Sequence, residues 1–176
     1  EKLGIDAFLA LPANHSQIQQ VLLAHAPVKK EQKVIIPGPC DDYDTSLPTI
    51  LLVEDSRINQ QVCRAMLKEL KCILLIADNG KEAIKLWHTE QIDLILMDCH
   101  MPVMDGFEAT SAIRKLEEHS SSSVPIIAVT ASNADQDMKR CIDVGMNSFI
   151  AKPYVREALI EAINKDLVSN KQAVSV

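Results

Sequence analysis

The chain has 176 residues, 47% hydrophobic and 24% charged, enough to bury a core without disulfide or metal staples and unlike a disordered or collagenous sequence. Its 18 basic and 24 acidic side chains leave a net charge of −6, which argues against non-specific nucleic-acid binding. No apolar run approaches the roughly 18 residues of a membrane span, no secretory signal pattern opens the chain, and residue 1 is Glu, as expected of a piece of a longer protein.

Residues 1–25 read as an apolar strand up to Pro12 followed by a helix carrying Ile18, Val21, Leu22 and His25. Residues 26–48 are rich in proline and charge and read as a linker, in which 34–36 could pair as a short edge strand before Pro37 ends it. Beyond Pro48 the pattern becomes regular. Apolar runs at 49–54, 72–77, 92–97, 125–130 and 147–151 are expected as strands. Helices are expected between and after them. The first, over 57–70, places Ile58, Val62, Met66 and Leu70 on one inner face with Leu67 beside them. Asp78-Asn79-Gly80 is a turn signal, and the second helix, 81–89, faces Ala83, Ile84 and Trp87 inward. Asp105 with Glu108 resembles a capping box that opens the third helix, with Phe107, Ala112, Ile113 and Leu116 on its inner side. After a polar loop at 120–123, the fourth helix spans 134–144 and stops at Gly145. The last spans 155–167, with Ala158, Leu159, Ala162 and Ile163 inward.

Near-continuous apolar strands alternating with helices indicate an α/β fold: a doubly wound, five-stranded parallel sheet with helices on both faces. Ligands of such sheets bind outside the carboxyl ends of the strands. At those ends stand Glu54 and Asp55, then Asp98, Thr130 and Lys152. Three neighbouring carboxylates repel one another, and a hard divalent cation such as Mg²⁺, which takes one or two carboxylates plus waters and phosphate oxygens, resolves the conflict. Around a phosphoryl group, Mg²⁺ would neutralise one oxygen, Lys152 a second, and the Thr130 hydroxyl with the Ala131 backbone N–H the third, with an Asp carboxylate as nucleophile. The five cysteines, Cys40, Cys63, Cys72, Cys99 and Cys141, have no CxxC spacing and read as small buried apolar residues in a reducing compartment. His15, His25, His88 and His119 lack the context of a phosphohistidine donor, and the six methionines read as packing.

The acidic pair in Leu52-Val53-Glu54-Asp55, the run from Leu96 to Gly106 around Asp98, the Val129-Thr130-Ala131 turn and Ala151-Lys152-Pro153 follow in an order and spacing that resemble a response-regulator receiver domain over residues 49–170, leaving a tail at 171–176. The resemblance implies the flavodoxin-like strand order 2-1-3-4-5. It implies that Asp98 takes a phosphoryl group from phosphohistidine in a reaction the domain itself catalyses. It implies that Glu54, Asp55, Asp98 and the backbone carbonyl of His100 hold Mg²⁺, and that Thr130 and Phe149 form a switch pair.

Residues 4–12 align without a gap with 145–153, matching glycine, phenylalanine, alanine and proline. Residues 1–25 then look like the end of a preceding receiver-like unit, degenerate because Leu11 stands where Lys152 stands in the later copy. That arrangement is similar to hybrid sensor histidine kinases. The expected partners are a kinase core in cis and a histidine phosphotransfer protein, with neither nucleic acid nor membrane touched by this piece. The expected location is cytoplasmic, whether or not the parent protein is anchored in the inner membrane. Three other readings stay open: a stand-alone response regulator without an output domain, a receiver that signals by binding without phosphorylation, and an Asp-nucleophile Mg²⁺ phosphatase, which would want an acid where His100 stands.

Overall fold

The computed structural model describes residues 34–36, 47–118, 123–131 and 135–173. The strand and helix expected over 1–25, together with Cys40, His119 and residues 120–122, lie outside them. Strands β1 (Val34–Ile36), β2 (Thr49–Val53), β3 (Cys72–Ala77), β4 (Leu94–Asp98), β5 (Ile126–Thr130) and β6 (Ser148–Ala151) form one sheet in the order β1-β3-β2-β4-β5-β6. Strands β2 to β6 are parallel, in the expected flavodoxin-like order 2-1-3-4-5 when counted from β2. The apolar triplet in the linker does pair: β1 runs antiparallel to β3, with Val34 opposite Leu74 and Ile36 opposite Cys72. It supplies backbone partners to an edge that would otherwise stand open.

Helices α1 (Arg57–Leu67), α2 (Gly80–Thr89), α3 (Gly106–Glu117), α4 (Asp135–Asp143) and α5 (Arg156–Ala173) connect and follow the parallel strands. Because strand side chains alternate in direction, each strand feeds two cores. Leu51, Val53, Ile95, Met97, Ile126 and Ala128 pack with Ala83 of α2, Phe107 and Ile113 of α3 and Cys141 of α4. Ile50, Leu52, Leu94, Leu96, Ile127 and Val129 pack with Cys63 and Leu67 of α1 and Leu159 and Ile163 of α5. No described helix is long and apolar enough to cross a membrane.

Local chemistry sets the helix starts. Ser56 caps α1 by accepting from the Asn59 N–H, and Asn79 caps α2 by accepting from the Glu82 N–H. The Asp105–Glu108 capping box is complete, each side chain taking the other's backbone N–H. Such caps are worth about 1 kcal/mol each. Helix α5 runs to Ala173, past the expected end at 167, since no glycine or proline follows to stop it.

Three inner faces differ from expectation, and on α5 it is Ala158 that is exposed while Leu159 and Ile163 are buried. On α1 the buried residues are Gln60, Cys63 and Leu67, while Ile58 and Val62 are 43% and 45% exposed. On α3, Leu116 is 53% exposed, and the buried positions at that end are Ile113 and Glu117. Glu117 turns inward because its carboxylate takes the Val124 N–H at 2.8 Å and the Arg114 guanidinium at 2.6 Å. Arg114 also donates to the carbonyls of Gly145 and Val124 and to Asn147 Oδ1, so one guanidinium joins α3 to the segments entering β5 and β6. It works at the amino ends of the strands, opposite the acidic rim.

Candidate functional site

Sheet register alone brings the strand ends together. Val53 lies opposite both Ala77 and Met97, so Glu54 and Asp98 emerge side by side from β2 and β4. Asp98 is level with Val129, one residue before Thr130, and Thr130 is level with Ala151, one residue before Lys152. Oxygens of Glu54, Asp55 and Asp98 come within 4.8 Å of one another. Glu54, Asp98 and Thr130 are buried, Asp55 is exposed, and the Lys152 side chain is 21% exposed. Lys152 Nζ donates to Glu54 Oε2 at 2.6 Å and to Asp98 Oδ2 at 2.8 Å.

Burial pushes the Asp98 carboxyl above its ordinary range, and the nearby Glu54 charge pushes the same way. The Lys152 ammonium and the His100 N–H oppose them. Burial alone would lower Lys152, but its bonds to Asp98 and Glu54 outweigh that and raise it. One ammonium thus faces three carboxylates, leaving excess negative charge among hard oxygen donors. That donor set fits a small divalent cation and an anion brought with it.

The His100 N–H donates to Asp98 Oδ1 at 3.2 Å, while its ring meets Phe107 edge-on and lies 3.5 Å from Asp137 Oδ2 of α4. Arg140 of α4 stacks 3.9 Å over the Phe107 ring and lies 3.6 Å from Asp105. The loop after Asp98 is therefore tied to α4 at two points. Ala131 is exposed just past β5, and Phe149 is 45% exposed on the outer parallel strand.

Several site residues were not visible in the sequence. Asn59 Nδ2 donates to Glu54 Oε1 at 2.9 Å, and Gln60 Nε2 donates to the Glu54 carbonyl and to Asp78 Oδ1. The signal for Gln60 was the second stripe, 60-63-67, hidden behind the more apolar 58-62-66-70. Gly106 begins α3 against the end of β4: a Cβ there would lie 2.2 Å from the Asp98 carbonyl oxygen, a contact no side chain can relieve. Val103 has φ 73°, and Met104 N–H donates to Pro102 O across it, a strained three-residue turn that nothing in the local sequence announces.

Cys63, Cys72, Cys99 and Cys141 are buried free thiols, as expected, with Cys99 Sγ 3.9 Å from Cys141 Sγ. Burial pushes Cys63 up to about 12 and Cys72 up to about 11. A Cys40→Ser variant is expected to resist thiol-reactive dye at pH 8 while folded and to react at all four sites once denatured. Raised thiols favour the folded state below the unfolded thiol range near 9. Above it the unfolded chain loses those protons first, so stability falls by about 1.4 kcal/mol per pH unit for each such thiol up to its folded value. Urea midpoints at pH 7.5, 9 and 10 check the sign.

Compared with known proteins, residues 50–164 match the family model "Response regulator receiver domain". Hybrid signal transduction histidine kinase B of Dictyostelium discoideum is 44% identical over 128 residues, covering 67% of this chain but only 6% of that protein. The receiver domain of sensor histidine kinase PA1611 from Pseudomonas aeruginosa, solved with magnesium coordinated in its active-site cleft, is 38% identical with a TM-score of 0.63, covering 69% of this chain and 98% of that one. A chain of the Saccharomyces cerevisiae co-crystal of the histidine phosphotransfer protein Ypd1 with the receiver domain of Ssk1 is 33% identical with a TM-score of 0.64, covering 67% and 87%.

Proposed function

This chain belongs to the response regulator receiver family, and from that membership we propose that Asp98 accepts a phosphoryl group from phosphohistidine and passes it to a histidine phosphotransfer protein. The observation that carries the reading is the Lys152 ammonium bridging buried Glu54 and Asp98 at the sheet's rim. The Asp98 carboxylate attacks phosphorus, the P–N bond to the donor imidazole breaks, and the imidazole keeps the electron pair and takes a proton. Glu54, Asp55, Asp98 and the His100 carbonyl would hold Mg²⁺, which would supply neutralising charge to the transferring group. Lys152 meets a second phosphoryl oxygen from its place 2.8 Å from Asp98, and the Thr130 hydroxyl and Ala131 N–H meet the third.

Thr130 and Phe149 form the switch. A phosphoryl group on Asp98 draws Thr130 toward it, and Phe149 on the neighbouring strand fills the space released. The ties from His100, Asp105 and Phe107 to Asp137 and Arg140 carry the change to α4. Residues 1–25 are read as the end of a degenerate receiver-like unit, residues 26–48 as the linker and 49–170 as the working domain of a cytoplasmic hybrid-kinase segment. Support for that context comes from the Dictyostelium relative, a hybrid kinase by name.

The test is transfer from a radiolabelled phosphohistidine protein. With Mg²⁺, label is expected to move onto this chain in a hydroxylamine-sensitive form, as an acyl phosphate requires, and EDTA is expected to stop it. Label that stays on histidine in the presence of Mg²⁺ overturns the reading.

A further inference from the structure

The first two turns of helix α1 depart from the packing the sequence favours. Ile58, Val62, Met66 and Leu70 repeat at helical spacing, and burying that stripe would remove the most apolar area from water. Met66 and Leu70 do pack partly against the core, but nearer its start the helix buries Gln60 in line with Cys63 and Leu67 and leaves Ile58 and Val62 nearly half exposed. A buried primary amide is tolerated only when its hydrogens are bonded, and the Gln60 Nε2 group is fully used: 2.6 Å to the Glu54 carbonyl and 2.7 Å to Asp78 Oδ1. These bonds tie the turn after β2 to the turn after β3. Arg57 closes the arrangement from outside, 3.0 Å from Asp78 Oδ2.

The next residue toward the helix start acts on the carboxylate itself. Glu54 Oε1 accepts from Asn59 Nδ2 at 2.9 Å and from the Ser56 N–H at 3.2 Å, while Oε2 accepts from Lys152. A glutamate has one more rotatable bond than an aspartate, so its oxygens need such fixing to stay in the acidic cluster. A local sequence that departs from its own best packing marks a place where another requirement overrides it.

We propose that Asn59 and Gln60 are positioning residues for the divalent cation, Gln60 holding the Glu54 backbone and Asn59 orienting its carboxylate. The proposal rests on the reading of the acidic rim as a cation site. Partners of this kind, one shell out from a metal, typically change affinity by about 10–100-fold when removed.

The test is calorimetric titration of Mg²⁺ alone into the whole chain, for the wild type, Gln60→Met and Asn59→Ala. Met keeps the length of Gln60 without its donors, and Asn59 is only half-buried, so the second variant guards against a folding failure in the first. Both are expected to bind Mg²⁺ roughly 10–100-fold more weakly. Labelling of Asp98 is expected to need correspondingly more Mg²⁺ for half-saturation and to reach a near-normal rate once saturated, a split that general damage to the fold would not produce. Mg²⁺ affinity within twofold of the wild type in both variants overturns the proposal. So does a labelling rate that stays low at saturating Mg²⁺ in both. Because calorimetry uses no phosphoryl donor, failure of the wild type to accept label would count against the proposed function and leave this result standing.

Discussion

Asp98→Asn is expected to abolish labelling by a phosphohistidine donor, a loss of more than roughly 10⁴-fold, because the amide has no nucleophilic oxygen and no other group replaces it. Loss of fold would be the trivial explanation, and the electrostatics argue against it. Burial raises the Asp98 carboxyl in the folded chain, so its contribution to stability is present below the ordinary carboxylate range and declines as pH rises through it. Asparagine never ionises, has nearly the same shape, and leaves Lys152 its bond to Glu54. In EDTA at pH 7 the variant should therefore unfold at a temperature no lower than the wild type. Retained labelling would move the acceptor away from Asp98. Lost labelling with a lowered melting temperature would make the residue structural.

Lys152→Met is expected to have the largest effect on stability. Glu54 and Asp98 are both buried, and this ammonium is bonded to each. Removing one partner of a buried ion pair leaves uncompensated charge and costs about 3–5 kcal/mol, toward the lower end here because the Lys152 side chain is partly exposed. A bound divalent cation supplies part of the missing positive charge. Mg²⁺ should therefore stabilise the variant more than it stabilises the wild type, a difference read from urea unfolding in EDTA and in saturating Mg²⁺. Phosphoryl acceptance should fall on the order of 10²–10³-fold even with Mg²⁺, since one oxygen of the transferring group loses its partner. Equal destabilisation with and without Mg²⁺ would show that the lysine acts through packing and not through charge.

Much of this site is legible in the sequence. Parallel strands covered on both faces must be continuous apolar runs, so the residue that ends each run stands out, and the sheet register brings those residues, Glu54, Asp98, Thr130 and Lys152, to one rim. The capping box at Asp105 was equally plain, because its spacing is local. What stayed hidden depends on distance in sequence. Arg114 bonds Gly145 and Asn147 some thirty residues away. The need for glycine at position 106 comes from the Asp98 carbonyl, a contact made only when α3 packs against the end of β4.

Sequence by itself determined the order of elements, the parallel sheet and the acidic rim, because hydrophobic periodicity and helix caps act over a few residues and follow from residue type. Tertiary structure decided how α1 is rotated, which way Glu117 points and what holds Glu54 in place. In each of these a buried polar group has to find its hydrogen-bond partners, and those partners come from segments that only the folded chain brings within reach.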